Sequence, residues 1–349
     1  MTSQVVLVDT NLIDFIKSNE FVSESGNLMD FIQPTSLDIP ISSECYLMKN
    51  KFLPNQRIIR DMVKETKIRG ISLQQVLLKN QTYLIYCGKI HLHSNHRAIF
   101  SPKSSIGRID VMVRVIVDNC GFYDHINFGK QGEVWCEVSP KSFNVSLNPG
   151  MTLTQMMIFE EQNLKQEIRE QNLKQTITSL KVYPKMENRE FLNSCTVLSL
   201  CIRNGYEALN TNQVVNFIEK SNKIENFFHK IESKENYIIL EKDKFYIFST
   251  KERLEIDNMT CAEMLPFSHH IGELRTHYAG FFDSGFGVKD KGTVAVLEVR
   301  VHETIKVFDG QPIALMQCFR NKSIPQKLYG MCKNHYQEQD GPQLAKYFI

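Results

Sequence analysis

Three stretches of the chain bring together residue types that do chemistry. The first reads SPKSSIGRIDV over residues 101–111 and carries Lys103, Ser104, Ser105 and Arg108. The second reads HYAGFFDSGFG over residues 277–287, and the strand-like run VAVLEV that follows it carries Glu298. The third is the C-terminal NHYQEQDGPQLAKYF, residues 334–348, with Tyr336, Gln337, Gln339, Gly341 and Pro342. Taken singly, each has a plain structural reading: a polar turn, a hairpin whose Gly and Asp satisfy turn geometry while its aromatics fill a core, and a tail. Glu298, or Glu137 in the run GEVWCEV, is the kind of strand carboxylate that can shuttle protons when its pKa is tuned towards neutrality. The nine cysteines include no C-x-x-C pair, which argues against a disulfide framework and against a Cys-rich zinc module. They are expected to be buried free thiols in a reducing compartment.

The elements that must position these residues are mainly β. Runs such as YLIYCGKIHL, VMVRVIVD, YIILEKDKFYIFS and TVAVLEVRV are rich in Val, Ile, Tyr and Phe and stop at Gly, Asn, Asp or Pro, the pattern of short strands. Helical spacing is confined to TNLIDFIKSN near the start and to residues 211–231, where Val214, Val215, Phe217, Ile218, Ile224, Phe227 and Phe228 fit one helix face. A repeat organises the whole. Residues 132–159, GEVWCEVSPKSFNVSLNPGMTLTQMMIF, align with residues 292–319, GTVAVLEVRVHETIKVFDGQPIALMQCF. Each copy runs from Gly through an apolar strand with a Glu to a turn glycine, Gly150 or Gly310, and nine residues later to a Phe. The glutamates match after a one-residue slip. Between the copies lies a polar stretch in which EQNLKQ occurs twice, read as a local insertion in a linker. The expected domains are therefore 1–160, a linker over 161–190, and 191–349.

With 349 residues, two domains is also the prior from length. Lys and Arg number 41 against 39 Asp and Glu, which speaks against a dedicated nucleic-acid binder. A hydrophobic share of 42% with 23% charged residues is that of a globular chain. No apolar run reaches the roughly 18 residues of a membrane helix. Asp9 and Asp14 interrupt the N-terminus where a secretory signal needs basic and then apolar residues, so the expected location is the cytoplasm.

In their order, the three segments resemble the dCTP deaminase branch of the trimeric dUTPase-fold superfamily. That family has an R-S-S-x-x-R segment, a turn similar to A-x-x-I-D-P-G-W, an L-E on the next strand, a P-G-M turn and a tail like K-Y-x-x-Q-x-G-P. The likeness extends over most of residues 28–160 and 236–349 and includes IQPTSLDIPI, residues 32–41. It implies two tandem dUTPase-like, jelly-roll-like β-barrel domains with a few peripheral helices. The motifs are divided between the halves. The first keeps Ser104, Ser105 and Arg108 but has Asn127 where the hairpin should carry Asp; the second keeps Asp283, Gly285 and Phe286 but reads FSHHIGELR, with Glu273 near the expected Arg. In the family the pocket lies between subunits, so a fused tandem is expected to form one complete site from complementary halves.

The resemblance further implies hydrolytic deamination of dCTP to dUTP and ammonia within pyrimidine deoxynucleotide synthesis. Further hydrolysis of dUTP to dUMP, or nucleotide binding without turnover, are the alternatives. Zinc-dependent nucleobase deaminases use H-x-E and P-C-x-x-C segments; no C-x-x-C exists here, so no zinc is expected, and magnesium is expected only as carried by the triphosphate. The implied catalytic carboxylate is Glu298, with Glu137 as the other candidate. Ser104 positions water and Arg108 stabilises charge. Lys103 stands where the family has Arg, keeping the charge without the bidentate fork. Ser105 completes the segment, Ala279 and Gly280 let the backbone approach the base, Phe281 and Phe286 pack on the deoxyribose, and Asp283 bonds the 3′-hydroxyl. Tyr336 and Gln339 belong to an arm closing over the triphosphate. A two-domain chain cannot itself reproduce threefold symmetry, which leaves room for a homo-oligomer.

Overall fold

β-Branched and aromatic runs give long strands in both halves, and the same order of pairings recurs in each. The computed structural model describes residues 3–162, 171–172, 175–176, 179–183, 191–192, 195–219, 221–265, 275–276, 280–288, 291–331 and 336–349. In the first half, strand Gln131–Pro140 lies between Thr82–His91 and Val111–Val117. In the second, Thr293–Arg300 lies between Phe245–Glu255 and Arg275–Thr276. The other face repeats likewise: Thr152–Gln162 pairs with His96–Pro102, which pairs with His125–Ile126, and Pro312–Arg320 pairs with Thr260–Leu265, which pairs with Phe281–Phe282. All of these pairings are antiparallel. The architecture is mainly β with few helices, as expected from the sequence.

The helix expected near the start spans Asp9–Lys17 and buries Leu12 and Phe15 on one face. Its first residue also ties the halves together, because the Asp9 carboxylate accepts the backbone N–H groups of Gln326 (3.0 Å) and Lys327 (2.9 Å). The helix expected over residues 211–231 is not formed. Val214–Asn216 is a strand, Ile224–Asn226 a single 3-10 turn and Phe228–Glu232 another strand. Locally the apolar positions follow a period of two, with Val215 and Phe217 buried and Ile218 68% exposed. Side chains also compete for the backbone: the Asn222 amide donates to the carbonyls of Asn216 (2.7 Å) and Tyr347 (2.8 Å) and accepts from the Asn216 N–H (2.9 Å).

This segment belongs by sequence to the second half but packs in the first. Val214–Asn216 runs parallel to Asn144–Ser146, and Val215, Phe217, Phe227 and Phe228 join the core built by Leu37, Ile39, Phe143 and Leu153. A second core, around Leu198, Phe248, Leu254 and Leu297, belongs to the second half alone. The C-terminus returns to the first core, where the Phe348 ring meets Phe227 and Phe228, each at 5.3 Å between centroids. The halves are thus interlaced. Most of the expected linker, and also Ala279 and residues 267–274 with Glu273, lie outside the described residues.

Candidate active site

Strand Thr293–Arg300 alternates in the way that sets the site. Ala295, Leu297 and Val299 face the second core, so Val296 and Glu298 face the opposite way and line a pocket against the first half. The first half supplies Ser104, which opens a short helix Ser104–Gly107, and Arg108, the residue that caps its C-terminus. The hairpin supplies Gly280, Phe281 and Phe286, and the tail Tyr336 and Gln339. Eight of the residues singled out in the sequence therefore meet around one enclosed space of about 40 Å³.

Glu298 is buried beside Arg108, with Arg108 Nε 3.8 Å from Glu298 Oε1. That separation is an ion pair but too long for a hydrogen bond, and Arg108 Nε has no hydrogen-bond partner among the described residues. Burial pushes the Glu298 carboxyl up to about 8, while the Arg108 charge and its own backbone N–H pull it down. Such an acid is poised to give and take a proton near neutrality. The arm holds Arg108 from the other side: Nη1 donates to the Gln343 carbonyl (3.0 Å), and the guanidinium lies over the Tyr336 ring at 3.9 Å. The Tyr336 hydroxyl accepts from the Lys346 N–H (3.1 Å). Gln339 donates through Nε2 to the Val294 carbonyl (3.3 Å), and its Oε1 is buried with no hydrogen-bond partner among the described residues. Orphaned polar atoms in an enclosed pocket are what a polar ligand would satisfy.

Gly280 approaches the first half so closely that a Cβ there would sit 3.0 Å from Ser104 Oγ. The tail also grips the hairpin, since Gln337 Nε2 donates to the Gly285 carbonyl (3.0 Å) and its Oε1 accepts from Gly287 N–H (3.4 Å). Gly285, at φ +92°, uses a backbone conformation that side chains disfavour, and a Cβ would meet Leu328 at 2.8 Å.

Among the described residues to which the resemblance assigns a catalytic or binding role, four do not line the pocket. Glu137 is buried on Gln131–Pro140 and forms an ion pair with Lys51 at 2.8 Å. Lys103 is bound to the Asp38 carboxylate and donates to Thr152 Oγ1 (3.0 Å). Ser105 receives the Tyr347 hydroxyl at 3.4 Å. Asp283 accepts both the backbone N–H (3.0 Å) and the hydroxyl (2.6 Å) of Thr35; burial pushes its carboxyl up to about 6 against these bonds. Sequence reasoning missed Tyr329, Phe282, Met264 and Val296 in the lining. Alternation along VAVLEV with Glu298 as reference would have found Val296, whereas Tyr329 and Met264 carry no local signal. A much larger cleft, about 1250 Å³, lies elsewhere between the halves. Two ion pairs lie within its lining, Arg114 with Asp124 and Lys244 with Glu207, and none of Ser104, Arg108 or Glu298 lines it.

Two interlaced β halves together enclose a desolvated glutamic acid, a guanidinium and a serine hydroxyl, an arrangement suited to acid–base chemistry. A family model described as the N-terminal domain of 2'-deoxycytidine 5'-triphosphate deaminase (DCD) matches residues 3–162, and one described as the C-terminal domain matches residues 170–348. The chain belongs to this dCTP deaminase family. It is similar to the crystal structure of 2'-deoxycytidine 5'-triphosphate deaminase from Agrobacterium tumefaciens, with a TM-score of 0.83 and 29% identity over 94% of this chain and 98% of that one. No curated protein sequence matches the chain.

Proposed function

We propose that the chain hydrolyses dCTP to dUTP and ammonia at the pocket between its halves, in pyrimidine deoxynucleotide synthesis. The observation that carries this reading is the buried Glu298 facing Arg108 and Ser104 across the junction of two deaminase-family halves. In the proposed reaction water adds to ring carbon 4 as Glu298 takes its proton and passes it to ring nitrogen 3. The second water proton then goes to the exocyclic amine, the carbon–nitrogen bond breaks, and ammonia leaves as the 4-carbonyl forms. Ser104 holds the attacking water and Arg108 balances the glutamate's charge during the transfers. Phe281 and Phe286 supply apolar contacts for the sugar, and the backbone at Gly280 reads the base edge.

As it stands the pocket holds only a few waters, whereas a nucleotide needs several hundred Å³. We therefore assign the arm, residues 336–349, an outward movement that admits dCTP and frees Arg108 from Gln343 and Tyr336. Magnesium is assigned to the triphosphate, whose oxygens and waters suit its octahedral preference. No helix among the described residues is long and apolar enough to cross a membrane; a cytoplasmic location is the reading we carry forward. Neither comparison supports further hydrolysis to dUMP.

Incubation with dCTP and magnesium should release one ammonia per dUTP formed. Glu298→Gln should reduce kcat at least a thousandfold and Glu137→Gln less than fivefold. The reverse ranking would move the chemistry to the first half, and dUMP as sole product would establish the longer reaction.

A further inference from the structure

Two of the residues set aside from the pocket, Asp283 and Lys103, are held by one short segment of the first half. Thr35 gives its N–H and hydroxyl to Asp283 at 3.0 and 2.6 Å, and three residues later Asp38 binds the Lys103 ammonium. Thr35, Asp38 and Asp283 are buried, as is Phe281 on the strand just before Asp283. Each grip ends one or two residues from the pocket. Lys103 precedes Ser104, and Asp283 follows Phe281–Phe282, the strand leading out from Gly280. The two gripped motifs come from different halves and approach closely at Gly280 and Ser104, where a Cβ on Gly280 would lie 3.0 Å from Ser104 Oγ.

We propose that Thr35 and Asp38 are positioning residues for the deamination: the segment between them is a double clamp that fixes the base-reading hairpin of the second half against the serine–arginine motif of the first. This rests on the deaminase reading above. The chemistry supports a role beyond cohesion. Asp283 Oδ1 is fixed by two donors from one residue, which sets both position and angle of the turn. The opposite arm is a charged pair that fixes the backbone immediately before Ser104. Ser36 Oγ and Asp38 Oδ1, in the same segment, are buried with no hydrogen-bond partner among the described residues, so the segment is not optimised for its own satisfaction, a pattern found where geometry serves function. A misplacement of about 1 Å at a reacting centre can lower rate about a hundredfold, so a clamp outside the pocket can set turnover.

The two arms predict separable kinetics. Thr35→Val removes the hydroxyl at equal volume and should raise KM for dCTP about tenfold, the effect of one lost bond to a charged group, with kcat within threefold. Thr35→Ser should restore KM to within twofold of wild type. Asp38→Asn should lower kcat about tenfold with KM within threefold, since its arm reaches Ser104 and not the hairpin. A merely structural role would reduce the active fraction and leave KM unmoved. KM for Thr35→Val within twofold of wild type, or Thr35→Ser no better than Thr35→Val, overturns the proposal. Should Thr35→Val not fold, Asp38→Asn decides, and kcat within twofold of wild type overturns it. If wild type releases no ammonia from dCTP, the deaminase reading fails instead; calorimetric titration of dCTP then tests the clamp by itself, with Kd about tenfold weaker in Thr35→Val as the supporting result and an unchanged Kd as the overturning one.

Discussion

Glu298 sits where a carboxylate is costly, and its surroundings make its protonation measurable. Burial raises it to about 8 and Arg108 opposes the rise. Water activation needs the ionised form, so kcat/KM for dCTP should climb with pH to a plateau above about 8, and Arg108→Leu should move that limb to higher pH by removing the opposing charge. Stability follows the same proton. The folded protein binds it more tightly than the unfolded chain, so unfolding free energy should fall as pH rises from the ordinary carboxylate range to about 8. In Glu298→Gln that slope should flatten in denaturant titrations repeated across the range. Gly280→Ala would place a methyl 3.0 Å from Ser104 Oγ; we expect the protein to fold and kcat/KM to drop about tenfold or more, because geometry at the reacting centre is what it disturbs. Ser104, Arg108 and Glu298 were legible because each motif is local and its spacing survives in the sequence. The surroundings of Asp283 and Lys103 were not, since their partners lie 248 and 65 residues away and nothing in either motif names them.

The strands were legible from β-branched and aromatic runs, and the first helix from its periodicity, whereas residues 211–231 were misread. Their apolar residues satisfy a helical spacing in aggregate, and only pairing with Asn144–Ser146 and the bonds of Asn222 decide for extended chain. That element matters because it anchors the arm. The Tyr347 ring lies 4.5 Å from Phe217, and Phe348 rests on Phe227 and Phe228. Phe348→Ala should destabilise the protein by about 2 kcal/mol, less than a fully buried phenylalanine because the ring is only half-buried. The same change should raise KM for dCTP, as an arm that docks less firmly retains the triphosphate less well. Unchanged KM together with lost stability would separate anchoring from closure.

At the scale of the molecule, the first half is not self-sufficient. The first core draws Val215, Phe217, Phe227, Phe228, Phe245, Val296 and Leu344 from beyond the boundary. A fragment of residues 1–162 should therefore lack a cooperative unfolding transition, as read by circular dichroism on heating. The division into two halves was legible from the aligned segments 132–159 and 292–319, but their interlacing was not, because it depends on which surfaces remain apolar after each half has folded. The Lys51–Glu137 ion pair has a further consequence, in kinetics and counting. On the proposed assignment, with the first half's strand glutamate engaged by Lys51, the chain carries one reacting acid, Glu298. A tight inhibitor should titrate one site per chain, and a lone chain at equilibrium with dCTP has to saturate hyperbolically, with a Hill coefficient of one. Sigmoidal saturation at equilibrium would then report a signal passing between associated chains.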